Sequence, residues 1–212
     1  MKKNTKIIIS IIAVLIIAGG VGFAATRSAE VSDYERAGSL YRAADSAQST
    51  ELAAEYRGEK LTMASLEYQR KAARDTTSSD YELAYKLMGS AILYQYAAAN
   101  GCGATPEEVE ETVQYQRETY ETEDGRRDMD EYLTAAGLTF DEYIALVEQQ
   151  VPRTIARNKL KAHFAEEFCT ENGYEYDPKS LPFGAQEYVD AKLEQIIADA
   201  QSEVIYYVPV TG

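Results

Sequence analysis

Histidine, cysteine and tryptophan are nearly missing from this chain: 212 residues contain one His, two Cys and no Trp. The lone His163 sits in a helical pattern beside Phe164, with no nucleophile motif near it. A packed or half-exposed helix residue accounts for it better than a general base. Cys102 and Cys169 either pair, closing a long loop worth on the order of 4 kcal/mol in the chain-entropy model, or stand as two separate buried thiols, the reading taken here. Positive charge is also scarce, with 21 Lys and Arg against 35 Asp and Glu and a formal charge of −14. That balance argues against nucleic acid and anionic membrane surfaces as partners, because both are held through Lys and Arg. The acidic run from Asp124 to Glu131 does not keep the spacing of a calcium loop. No catalytic residue, metal ligand or cofactor is read from the chain.

The first 26 residues differ from the rest. Lys2, Lys3 and Lys6 precede a run from Ile7 to Ala25 that is apolar or small except for Ser10. As a helix this run would be roughly 28 Å long, close to the thickness of a bilayer's hydrocarbon core. Residues 1–26 are therefore expected to be a signal anchor or, given the small residues near Ala24 and Ala25, a cleaved signal peptide. No cysteine follows the run, so a bacterial lipoprotein anchor has no acceptor. Lysines before the run and Glu30, Asp33 and Glu35 after it place the body outside the cytoplasm, single-pass or secreted. Losing the three lysines of this segment takes the charge of the remainder to −17.

Residues 27–52 are rich in Ser, Ala and charge and read as a stalk or marginal helix; residues 53–212 read as one mainly helical domain. An extended segment from Ala53 turns at Gly58 and leads, with Thr62 as N-cap, into a helix to about Arg74. Asp80 to Asn100 follows, apolar on more than one side and stopped by Gly101, as a central pillar with neighbours around it. Thr105-Pro106-Glu107-Glu108 combines an N-cap, a first-turn proline and a capping-box glutamate, opening a helix to about Glu121. Glu123-Asp124-Gly125 reads as its terminator, and Asp128 to Ala136 as a short helix. Thr139-Phe140-Asp141-Glu142 repeats the capping grammar for a helix that Pro152 should kink or interrupt before the pattern continues to about Phe168. A last amphipathic helix carries Val189, Leu193, Ile196 and Ile197, and Val204 to Val208 reads as a strand. Its natural partner is the extended segment before Thr62, a two-stranded pairing that ties the ends of the body together.

The order of these pieces, Gly58–Thr62, Asp80–Asn100, Thr105–Val113, Gly137–Tyr143 and Ile155–Phe168, resembles the N-terminal chaperone domain of the SurA/PrsA family of bacterial extracytoplasmic folding factors, and the peptide-binding region of trigger factor. The resemblance spans roughly residues 53–208. Arg57 stands where that family often has Asn, and too few residues follow the last helix for a parvulin prolyl-isomerase domain. What the resemblance implies is binding of unfolded or secreted polypeptides without isomerase activity. The seventeen tyrosines suit such a surface, since each offers an apolar ring with a polar tip. Tyr115, Tyr120, Tyr132, Tyr143 and Val147, on the helices after the pillar, are the expected peptide-binding residues. The alternative function is a membrane-tethered scaffold in which the same helices dock one folded envelope partner.

Overall fold

A computed structural model describes residues 32–46 and 50–209. The chain is mainly helical, and a three-stranded antiparallel sheet ordered β2-β1-β3 joins the two ends of the body. Strands β1 (Leu52–Tyr56) and β2 (Glu59–Thr62) form a hairpin, and β3 (Ile205–Tyr206) pairs with the other edge of β1, Ala54 opposite Tyr206. The sequence anticipates the pairing of the ends but not β2. The hairpin follows from Arg57 and Gly58, both at positive φ (46° and 87°), the two-residue turn whose twist matches its strands. Arg57 holds that conformation while its guanidinium donates to both carboxylate oxygens of Glu203, at 2.7 and 2.9 Å.

Helix α1 (Asp33–Ser46) lies along α5 (Glu123–Ala136) and against α2 (Met63–Ala72). The segment expected as a stalk or marginal helix therefore buries Ala37 and Gly38, and Arg36 donates to the carbonyls of Lys71 and Ala72 at the end of α2. Helix α3 (Asp80–Ala99) is the pillar, meeting the hairpin, α2, α6 (Phe140–Asn172) and α7 (Ala185–Ala200). Two boundaries differ from expectation. Helix α5 starts at Glu123 rather than Asp128, because Thr122 caps it by accepting from the Gly125 amide. Gly125 is a clearance residue and not a terminator: a Cβ there would stand 2.1 Å from the Thr119 carbonyl oxygen of α4 (Pro106–Glu121). Helix α6 runs unbroken through Pro152 for 33 residues. Val151 and Ala156, both fully buried, hold the backbone on either side of the proline, and packing outweighs the one lost backbone bond.

Three apolar cores result. The first lies between the sheet, α2 and α3 and is completed by Val204 and Val208. The second joins α1, α4, α5 and the first half of α6. The third joins the second halves of α3 and α6 to α7. Among the described residues no helix is long and apolar enough to cross a membrane, and the expectation for residues 1–26 falls outside them.

Three helices begin with reciprocal capping boxes, Ser79 with Glu82, Thr105 with Glu108 and Thr139 with Glu142. The cap amides and then the cap hydroxyls hold the Glu82 and Glu142 carboxyls below the ordinary glutamate range. Partial burial works to raise Glu108, but the Thr105 amide and Lys159 outweigh it. Lys159 bonds Glu108 at 3.1 Å and the Gly103 carbonyl at 2.8 Å, tying α6 to the start of α4. A carboxyl with a lowered folded pKa stabilises the fold above its unfolded value, and that stabilisation disappears as pH falls through the folded value. Unfolding temperature should therefore drop less between neutral pH and about pH 3 in the E82Q/E108Q/E142Q variant than in the parent chain. Parallel pH profiles for the two would show that these caps do not set acid stability.

Candidate functional site

The second core gathers four of the five expected contact residues. Tyr120 comes from α4, Tyr132 from α5, and Tyr143 and Val147 from α6. Tyr132, Tyr143 and Val147 are only 4%, 2% and 1% exposed. The edge of the Tyr132 ring meets Tyr143 at 6.0 Å, and Phe140 lies beside Tyr143 and stacks on Tyr120 at 3.9 Å. The Tyr143 hydroxyl reaches only the Gln116 side-chain oxygen, at 3.4 Å, whereas Tyr120 keeps its hydroxyl at the surface on Asp130, at 2.8 Å. Burial pushes the phenols of Tyr132 and Tyr143 far up, with the Tyr68 ring a smaller contribution at Tyr132, so both stay neutral. Tyr115 is half-buried on α4, outside this cluster. The stripe read as a client-gripping cradle is thus largely a closed core: the same helical spacing serves either role, and here α1 covers it.

Apart from Tyr96 on α3, the large exposed apolar side chains lie in two other places. One is the edge of the sheet, where Ile205 and Tyr207 flank the inward Tyr206, whose ring meets Tyr81 edge-on at 4.8 Å. Tyr85 of α3 lies 6.3 Å beyond Tyr81, ring to ring, and is also exposed. The other is the turn between α6 and α7, where Tyr174, Leu181 and Phe183 face solvent and Phe183 is 96% exposed.

That turn is built rather than loose. Gly173, at φ 71°, ends α6, and the Tyr174 amide returns to the Cys169 carbonyl at 2.8 Å, the bond of a Schellman cap. Asp177 accepts from the Lys179 amide through its side chain and from the Ser180 amide through its carbonyl, which closes a turn at Pro178. Pro182 and Gly184 flank Phe183, and the Ala185 amide bonds back to the Pro182 carbonyl at 3.1 Å. At the base, Phe168 stacks on Tyr174 at 6.3 Å and meets Tyr188 at 5.4 Å. Tyr188 donates to Glu167, which also accepts from Lys192 at 2.7 Å, and this network pins α7 to α6. Lys192 and then Tyr188 hold the Glu167 carboxyl below its ordinary range.

Sequence reading passes over this turn because no periodicity runs through it. Its available signal is a phenylalanine between proline and glycine, close after Leu181, in a loop with no helical or strand period. His163 is exposed, its ring 5.5 Å from Phe164. The two cysteines are free and buried. Among the described residues no three His, Cys, Asp or Glu side chains gather as metal ligands. Comparison with protein-family models, curated proteins and solved structures finds no match for the chain.

Proposed function

We propose that the chain is an extracytoplasmic, chaperone-like module that binds unfolded or secreted polypeptides, anchored by residues 1–26 or released after them, with no isomerase activity of its own. Its client contacts are then the surface aromatics, and the Tyr132–Tyr143 cluster is their support. One observation carries this reading: apolar side chains, led by Phe183, are held out into solvent on a hydrogen-bonded turn of a strongly acidic body. Isolated exposed apolar residues need no explanation, but three within ten residues on a stiffened turn do. The resemblance of the helix order read from the sequence to SurA-type chaperone domains supports the same reading, and the negative charge would limit aggregation of loaded complexes.

Light scattering by a reduced, unfolded secretory protein tests it. The full chain, held in neutral-lipid nanodiscs, should suppress aggregation at several-fold excess, and empty discs should not. Absence of suppression would sink the reading. The smallness of the exposed patch favours one alternative, a scaffold in which Phe183 anchors a single folded partner. That alternative predicts one partner at fixed stoichiometry instead of weak binding to many unrelated chains.

A further inference from the structure

The surroundings of the α6–α7 turn define its occupant. Between residues 166 and 190 the exposed carboxylates are Glu166, Glu171, Glu175, Asp177, Glu187 and Asp190, against a single exposed cation, Lys179. None of the six is ion-paired within the described residues, and the nearby Lys192 is already committed to Glu167. Negative charge is thus far denser here than over the chain as a whole. An apolar partner without charge would leave these carboxylates unmatched, and an anionic lipid surface would be repelled by them. A segment carrying both apolar and basic side chains satisfies both features, placing its apolar groups against Phe183, Leu181 and the Tyr174–Phe168 stack and its ammonium or guanidinium groups on the rim.

We infer that the α6–α7 turn is a docking surface for cationic, apolar segments of unfolded polypeptides. The inference rests on the polypeptide-binding reading and narrows it to a class of client. The turn is suited to the task because Pro178, Pro182 and the Asp177 turn fix its backbone in advance, so little ordering is required on binding. Rim carboxylates should govern encounter and selectivity, while the apolar tip should govern residence.

Fluorescence anisotropy on the full chain in neutral phosphatidylcholine nanodiscs tests this, using a short labelled peptide that alternates Leu and Phe with Lys, and its twin with Glu in place of Lys. The Lys peptide should bind about tenfold or more tightly than the Glu twin, and its affinity should fall between about 20 and about 300 mM salt. Leu181→Ser combined with Phe183→Ser should weaken the Lys peptide about tenfold. Glu171→Gln, Glu175→Gln and Glu187→Gln together should remove most of the salt dependence. All five positions are exposed, so circular dichroism should match the parent chain. Equal affinity for the two peptides overturns the inference, as does unchanged Lys-peptide binding by the Leu181/Phe183 variant. If that variant still suppresses aggregation of an unfolded protein like the parent, the turn loses its role while the general reading stands. If the parent chain itself suppresses nothing, the general reading fails, whatever the peptides do. Loss of self-association in place of peptide binding would assign the turn to a second copy of this chain and overturn the inference.

Discussion

Replacing Tyr132 and Tyr143 together by serine should unfold the core between α1, α4, α5 and α6. Each ring is at least 96% buried, and truncating a buried aromatic side chain typically costs about 3–5 kcal/mol. The two rings touch, so the costs will not simply add. Even so, the loss approaches the roughly 5–15 kcal/mol that holds an ordinary domain together. Urea titration followed by circular dichroism should show the cooperative transition of this core lost or shifted to low denaturant. Tyr143→Phe is the matched control and should change stability little, because its hydroxyl makes a single long contact to Gln116. An unfolding curve like the parent's in the double serine variant, with polypeptide binding abolished, would return these rings to the surface and contradict their placement. Loss of binding by the double variant therefore carries meaning only beside its unfolding curve.

Gly38→Ala should destabilise the protein, against the rule that alanine improves a helix interior over glycine by roughly 0.5–1 kcal/mol. A Cβ on Gly38 would stand 2.3 Å from the Tyr132 carbonyl oxygen and 2.8 Å from the Ala136 amide nitrogen. Both are backbone atoms of α5 and cannot rotate aside, so α1 must move away from α5. Overpacking of this kind costs typically about 1–3 kcal/mol, and a larger side chain such as leucine should cost more. Thermal unfolding should shift down for alanine and further for leucine, and hydrogen exchange in α1 should accelerate. A higher unfolding temperature for Gly38→Ala would mean that the two helices do not approach this closely.

Local chemistry was the legible part of this sequence. The boxes at Thr105 and Thr139, the cap at Thr62, the stop at Gly101 and the apolar pillar all depend on residues within a few positions of one another, and the helices begin or end where those signals fall. The box at Ser79 and Glu82 hides inside a polar stretch that reads as a break. Gly125 and Pro152 mislead for different reasons: at Gly125 the Thr122 cap and the close Thr119 carbonyl, both within six residues, set the helix start, and at Pro152 the burial of Val151 and Ala156 on either side holds the helix. Helix α1 was legible only as a stalk or marginal helix, because small residues, Ala37 and Gly38, form the buried centre of a contact surface that Tyr34 and Tyr41 extend, which gives little amphipathic contrast. The candidate surface was the least legible. A stripe of Tyr132, Tyr143 and Val147 specifies that one helical face is covered but not whether protein or client covers it, and α1 supplies the cover. The α6–α7 turn has no repeating pattern, and its exposure emerges only once α6 and α7 are set side by side.

The pairing of β1 with β3 has a consequence for the order in which the body can be completed. Every buried residue of the second core lies between Ala37 and Val151, so that core has all its parts well before the chain ends. The first core starts with Ala53 but needs Val204 and Val208, and its outer strand is at Ile205–Tyr206. During vectorial synthesis at about 5–20 residues per second, the interval between the emergence of Val151 and of Val208 is on the order of several seconds. Throughout it the β1–β2 hairpin has one unpaired edge, and the pillar helix has an uncovered apolar side. A nascent chain of this protein therefore passes through a stage in which it resembles the unfolded polypeptides it is proposed to bind.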